Sequence, residues 1–348
     1  MIKFLKIVFY NFLILITFIL LTEIFFGYWF DKDNFGPYMR EHRMKNQRIE
    51  WSNGNEKITY FYRRNYHGFR GADINPSDID AIIMGGSVID ERYKPDKYTI
   101  TGHLSKNLEE DFNIKLTNAG VEAQSTRGMV MSFKNWLFKL NEFSPKFILF
   151  YVGINDMKWS ENEKLNDFKS DGHLLNPNTH EVIKDNVKSR SILYDSARIF
   201  KFKYLPREAF EKYDGKIDEN YKKNYNFTSY TFAKNNYNIT ELQKKYNKKI
   251  KHYVYRIDEL SRLSKILGST PIFITNLASP GHVEEIFILN HELLNHCELK
   301  KYNCIDLAKQ INGKPEYWKD GTHTSKIGSE IFAKLIYKDL KKIIEINN

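Results

Sequence analysis

Apolar residues fall into one long run and several short ones. The long run covers Ile7 to Phe26, with Asn11, Thr17, Thr22 and Glu23 as its exceptions. About twenty such residues span a bilayer core as a helix. Ile79–Met84 ends at Gly85-Gly86, and Phe147–Val152 ends at Gly153. Both read as buried parallel strands, being short, continuous and closed by glycine. Ile114–Thr117, Pro271–Leu277 and Cys304–Leu307 supply three more strands. Helical spacing marks 98–111, Gly128–Leu140 and Ile250–Leu267. In the second of these, Met129, Phe133, Trp136, Leu137 and Leu140 lie on one face. A last helix starts near Ser325, with Ile327, Ile331, Leu335 and Ile336 expected to face inward.

Strands and helices that alternate predict a parallel sheet covered on both faces, an α/β fold. Ligands on such sheets bind at the carboxyl ends of the strands. The chain then divides into 1–30, a cytoplasmic tip and transmembrane anchor; 31–75, a juxtamembrane arm; and 76–348, the main domain. Residues 158–245 are polar and rich in Asn, Lys and Tyr, and break the alternation. They are expected to form an insertion, a helical lid or a substrate-binding surface.

The ends of the long run give it a direction. Lys3 and Lys6 precede it and place the N-terminus in the cytoplasm, while Tyr28 and Trp29 suit an interfacial aromatic belt. A cleaved signal peptide needs small residues after the run, but Phe-Gly-Tyr-Trp-Phe follows here. An uncleaved anchor is therefore expected, with the remaining chain periplasmic or extracellular. The net charge of +10 is spread along the chain. It reads as a solvated surface rather than a dedicated site for nucleic acid, anionic lipid or acidic polysaccharide. The only cysteines are Cys297 and Cys304. Outside the cytoplasm they can form a disulfide, although closeness in sequence does not settle whether their Cβ atoms meet.

Candidate chemistry lies just past the strands. Ser87 follows two glycines at a strand end, where a tight turn leaves its hydroxyl uncrowded. Alone, this triplet fits a glycine turn with a helix-capping serine better than it fits a nucleophile. A serine hydroxyl needs a base to take its proton. His323 is the candidate base, and Asp320, three residues before it, can hold one ring nitrogen while the other faces a substrate. Asn155, in Gly153-Ile-Asn-Asp156, can offer an amide to a developing oxyanion. The backbone N–H groups of Gly120 and Ser87 would add two donors, each worth ~3 kcal/mol in a transition state.

In this order the words resemble the blocks of SGNH-type hydrolases, the GDSL lipase and esterase superfamily. The matching blocks are Gly-Gly-Ser87-Val, Asn-Ala-Gly120-Val, Gly-Ile-Asn155-Asp, and Asp320 with His323. Asn65-Tyr-His-Gly-Phe-Arg-Gly71 resembles the lead-in of membrane-anchored members. Gly86 stands where many members carry Asp. The resemblance implies a three-layer α/β/α, flavodoxin-like fold with a five-stranded parallel sheet. It also implies metal-free and cofactor-free ester hydrolysis or acyl transfer through an acyl-serine. The catalytic set would be Ser87, Asp320 and His323, with Ser87, Gly120 and Asn155 around the oxyanion.

Two other features invite different functions. His291 and His296 resemble a zinc-peptidase pair, but the five-residue step swings the second ring away from the first. Arg63, Arg64 and Arg127 can grip an anionic group, or serve as surface and structural arginines. An envelope carbohydrate esterase acting on an acylated glycan or another small-acyl ester is the leading expectation. The alternatives are an O-acyltransferase acting on an exopolysaccharide or cell-wall polymer, and a non-catalytic glycan-binding subunit.

Overall fold

The computed structural model describes residues 2–27, 29–30, 45–53, 56–65, 67–158, 187, 190–204, 209–215 and 219–347. In chain order these form helix α1 (Ile2–Phe26), strands β1 (Lys45–Ser52), β2 (Lys57–Arg64) and β3 (Ala81–Met84), and helices α2 (Ser87–Asp90) and α3 (Ile100–Phe112). Strand β4 (Leu116–Asn118), α4 (Thr126–Asn135), β5 (Phe147–Val152), α5 (Ile192–Tyr204), β6 (Ala209–Asp214) and α6 (Glu219–Lys223) follow. Then come α7 (Tyr230–Asn236), α8 (Ile239–Lys245), α9 (Asn247–Ile266) and β7 (Thr270–Thr275). The chain closes with α10 (Glu284–Lys300), β8 (Asn303–Ile305), α11 (Leu307–Gln310) and α12 (Lys326–Asn347).

Two compact units divide the chain. One contains α1 and α5. Within α1, Lys3–Phe26 is long and apolar enough to cross a membrane, with a mean hydropathy of 2.4 and outward-facing side chains. Glu23 is the one acid in the helix. Its carboxylate accepts from Trp29 Nε1 at 2.8 Å, Ser191 Oγ at 2.6 Å, and the backbone N–H groups of Ile192 and Leu193 at 3.2 Å. The carboxylate therefore meets the first turn of α5, whose N–H groups lack helical partners.

The other unit holds every strand and the remaining helices. Its main sheet is parallel throughout, in the order β4-β3-β5-β7-β8. Neighbouring side chains on a strand point to opposite faces. Ala81, Ile83, Leu149, Tyr151, Ile272 and Ile274 share a core with Ile100, Leu104 and Leu108 of α3 and Phe332, Ile336 and Leu340 of α12. On the opposite face, Phe150 lies 6.2 Å from Phe133 of α4 and 5.2 Å from Phe273. The fold is thus a three-layer α/β/α sandwich, as expected. The strand order reverses between β3 and β5, where such sheets hold their ligands.

The structure departs from the sequence reading in two places. Lys45–Ser52 and Lys57–Arg64, within the expected arm, pair antiparallel as a hairpin, and β6 joins β1 in parallel. Their pattern is hard to see because β2 buries only Tyr62 and Arg64, at its end. In α12, Ile336 is buried and Ile331 and Leu335 pack against the core as expected, but Ile327 is 52% exposed and the buried stripe continues through Phe332 and Leu340. The 158–245 segment contributes five helical or strand elements where it is described. Its residues 159–186, 188–189, 205–208 and 216–218 lie outside the described residues, as do 31–44 of the arm.

Cys297, near the end of α10, and Cys304, in β8, are joined by a disulfide. A loop this short restrains the unfolded chain by about 2.5 kcal/mol in the chain-entropy account. Reduction is expected to lower the thermal midpoint while leaving the catalytic parameters of the folded protein unchanged. Calorimetry with and without reductant checks this; a loss of turnover below the melting range would contradict it.

Candidate active site

The strand ends bring the nucleophile candidate to the switch point. Beyond β3, Gly86 caps the short helix α2 and Ser87 is its first residue. A first helical residue has an N–H without an intrahelical partner, so that group is available beside the hydroxyl. Glu91 closes the turn with a left-handed backbone, φ 42°, and its N–H donates to Ser87 O at 2.8 Å.

A tight loop between Trp318 and Thr324 carries the candidate base, His323. Lys319 N–H donates to His323 O at 2.8 Å, and Ser325 N–H donates to Tyr317 O at 2.9 Å. Trp318 anchors the loop, fully buried with its ring 5.3 Å from Phe332. Gly328 is needed for this packing, because a Cβ there would lie 1.9 Å from Tyr317 O. Asp320 Oδ1 accepts from the N–H groups of Thr322 at 2.9 Å and His323 at 2.8 Å. The carboxylate thus sets the loop conformation as well as facing the imidazole.

Ser87, His323 and Asp320 come together as a relay. His323 Nε2 lies 2.9 Å from Ser87 Oγ, and its Nδ1 lies 2.9 Å from Asp320 Oδ2. With Nδ1–H donating to Asp320, Nε2 is free to accept the serine proton. The rings of Tyr93 and His323 meet edge-to-face, with centroids 5.0 Å apart. Burial alone would raise the Asp320 carboxyl. Hydrogen bonding and charge from His323, with the two backbone N–H groups, outweigh it and hold the carboxyl down to about 2. Its stabilising effect is therefore present above the unfolded carboxylate value of about 3.9 and is lost as pH falls towards 2. The difference in thermal midpoint between wild type and Asp320→Asn is expected to shrink from about pH 5 to pH 2. A difference that stays constant across that range would refute this assignment.

The expected oxyanion donors separate. Asn155 lies past β5 and donates from Nδ2 to Gln124 O at 2.9 Å, beside Gly86. A Cβ at residue 86 would come 1.9 Å from that Nδ2, so the glycine makes room for the Asn155 amide. Asp156 fixes the turn. It is buried, which pushes its carboxyl up, and it accepts from Thr126 Oγ1 at 2.5 Å and Gly153 N–H at 3.3 Å. Gly153 takes φ 117°, a conformation suited to glycine. Gly120 is differently disposed. Its N–H donates to Asn118 Oδ1 at 2.9 Å and its carbonyl accepts from Arg64, so the amide is engaged within the protein.

Among the other candidates, Arg64, His291 and His296 have internal side-chain partners. Arg64 is buried on Asp90, and Arg127 is also buried, while Arg63 lies on the exposed face of β2. His296 Nε2 bonds Asp258 at 2.7 Å and His291 Nε2 pairs with Asn295 at 2.9 Å. Residues the sequence did not single out include Tyr93, Glu91 and Lys94. They stand in the polar stretch Asp90-Glu-Arg-Tyr-Lys94, which looks like a solvated loop.

No family profile and no curated protein matches the chain. Among solved structures it is similar to TesA, over 75% of this chain and 98% of that one, at 10% identity and a TM-score of 0.42. The psychrotrophic esterase EstA from Pseudoalteromonas sp. aligns over 76% and 99%, at 11% identity and 0.42. A variant of Axe2, an acetyl-xylooligosaccharide esterase from Geobacillus, aligns over 75% and 93%, at 11% identity and 0.41. At such scores the chemistry has to be judged from this chain's own geometry.

Proposed function

We propose that the chain is an SGNH-type serine ester hydrolase anchored in a membrane by α1. The observation that carries this is the continuous relay from Ser87 Oγ through His323 to Asp320, with both links at 2.9 Å. His323 Nε2 takes the Ser87 proton as Oγ bonds to the ester carbonyl carbon. The carbonyl oxygen becomes the oxyanion, facing the Ser87 N–H and the Asn155 amide. Collapse breaks the ester C–O bond, and His323 returns the proton to the departing alcohol. Water then attacks the acyl-serine by the same route, and the carboxylic acid leaves.

The site works outside the cytoplasm, on O-acyl groups of an envelope glycan. Lys3 and Lys6 ahead of the apolar helix support that orientation, and the Cys297–Cys304 disulfide suits an oxidising compartment. An anchor close to the polymer favours a substrate that does not diffuse. The test is full-length protein in detergent with p-nitrophenyl acetate and with an O-acetylated polysaccharide. Release of p-nitrophenol and free acetate is expected. Acyl groups moved to added glycan hydroxyls instead of water would make the protein a transferase. No turnover of either substrate by folded protein, with glycan still bound, would overturn catalysis.

A further inference from the structure

A buried ionic cluster lies directly behind the relay. Glu91 and Lys94 are almost fully buried, with side-chain exposures of 0% and 3%, and Lys94 Nζ lies 2.6 Å from Glu91 Oε1. Glu91 Oε1 also accepts from Thr324 Oγ1 and Ser329 Oγ, both at 2.8 Å, and Glu91 Oε2 accepts from Ile100 N–H at 2.5 Å. Lys94 Nζ reaches Thr324 O at 2.9 Å, Ser325 O at 3.2 Å and Ser329 Oγ. Thr324 follows His323 directly, and Glu91 is the residue whose N–H closes the turn on Ser87 O. The cluster therefore joins the nucleophile's turn to the base's loop across more than 230 residues of chain.

Stability alone does not account for it. Desolvating two charges is costly, and a buried ion pair can often be replaced by apolar groups without loss. Burial here pulls the Lys94 ammonium below its ordinary value, opposed by Glu91. The relay, by contrast, depends on a fixed separation between two groups carried on independent loops, and misplacement by about 1 Å can cost 10²-fold in rate.

We infer that Glu91 and Lys94 are positioning residues that hold His323 at hydrogen-bonding distance from Ser87. They touch neither substrate nor reacting atoms; they act through Thr324 and the Ser87 turn. This rests on the serine-hydrolase reading above.

The test compares full-length wild type with Glu91→Gln/Lys94→Met, which removes both charges and leaves neither unpaired. Three readouts are needed: the thermal midpoint, kcat and KM for p-nitrophenyl acetate, and the rate of labelling by a fluorophosphonate. The expected result is a folded protein with kcat and labelling rate lowered about 10- to 100-fold and KM within about twofold of wild type. A folded double variant with wild-type kcat and labelling would overturn the inference. If that variant does not fold, Thr324→Val decides. It keeps the side-chain shape and cuts the hydroxyl link to Glu91 while Lys94 still holds the Thr324 and Ser325 carbonyls, so a lower kcat at unchanged KM supports the tether and unchanged kcat rejects Glu91 as a positioning residue. A wild-type protein that neither labels nor turns over ester would overturn the hydrolase reading itself, and the tether with it.

Discussion

Ser87→Ala is expected to lower ester turnover by about 10⁵- to 10⁶-fold, with KM almost unchanged. In the proposed reaction the hydroxyl makes the new bond, so its loss removes the acyl-enzyme route rather than weakening it. Residues that act as one unit are strongly non-additive: losing nucleophile or base alone costs about as much as losing both. His323→Ala should therefore match Ser87→Ala, and the double variant should be no slower than either. Asp320→Asn should lose about 10⁴-fold, because an amide can stabilise the wrong imidazole tautomer. Fluorophosphonate labelling should vanish in Ser87→Ala. Turnover within tenfold of wild type in that variant would place the nucleophile elsewhere and dissolve the relay as a catalytic unit. Asn155→Ala is a milder case, since one oxyanion donor is worth ~10²- to 10³-fold in kcat.

How much of this is readable from the chain depends on the range of the interactions. Phe147–Val152 is visible as a strand because both its faces are covered, leaving six apolar residues in a row. Ser87, Asn155, Asp320 and His323 are visible because each sits where a strand end or a short loop leaves a local mark. The hairpin of β1 and β2 leaves little trace, since its outer face is polar and its partner β6 lies about 160 residues away in sequence. The short helices α6, α7 and α8, of five to seven residues, fall below the length at which a periodic face stands out. Gly120 shows a different limit. The motif identifies the residue, but the Asn118 side chain decides where its N–H points. Glu91 and Lys94 show the strongest limit: an acid and a base three residues apart look like surface charge until Thr324 and Ser329 are folded onto them.

Arg64 tests the difference between a ligand-binding and a structural arginine. Its guanidinium is buried and donates from Nη2 to Asp90 Oδ1 at 2.9 Å and from Nη1 to Gly68 O at 2.8 Å. It also donates to Gly120 O, and Tyr62 OH donates to the same Asp90 oxygen at 2.8 Å. Asp90 is the last residue of the helix that Ser87 begins, so the pair fastens β2 and the loop after β4 to the turn that carries Ser87. Arg64→Met is expected to destabilise the protein by about 3–5 kcal/mol, because it strands a buried carboxylate. For a domain this large the midpoint should fall by roughly 10 °C. Arg64→Lys should recover little, since a point charge cannot reproduce the planar fork. Arg64→Met/Asp90→Leu should recover more than either single change predicts, because neither charge is then left alone. An anion-gripping Arg64 would give the opposite pattern: an unchanged midpoint and a raised KM confined to negatively charged esters. Thermal melts of the three variants, with KM for a neutral and an anionic ester, separate the two roles. With the guanidinium already holding Gly120 and Asp90, the expected outcome is loss of stability without loss of selectivity.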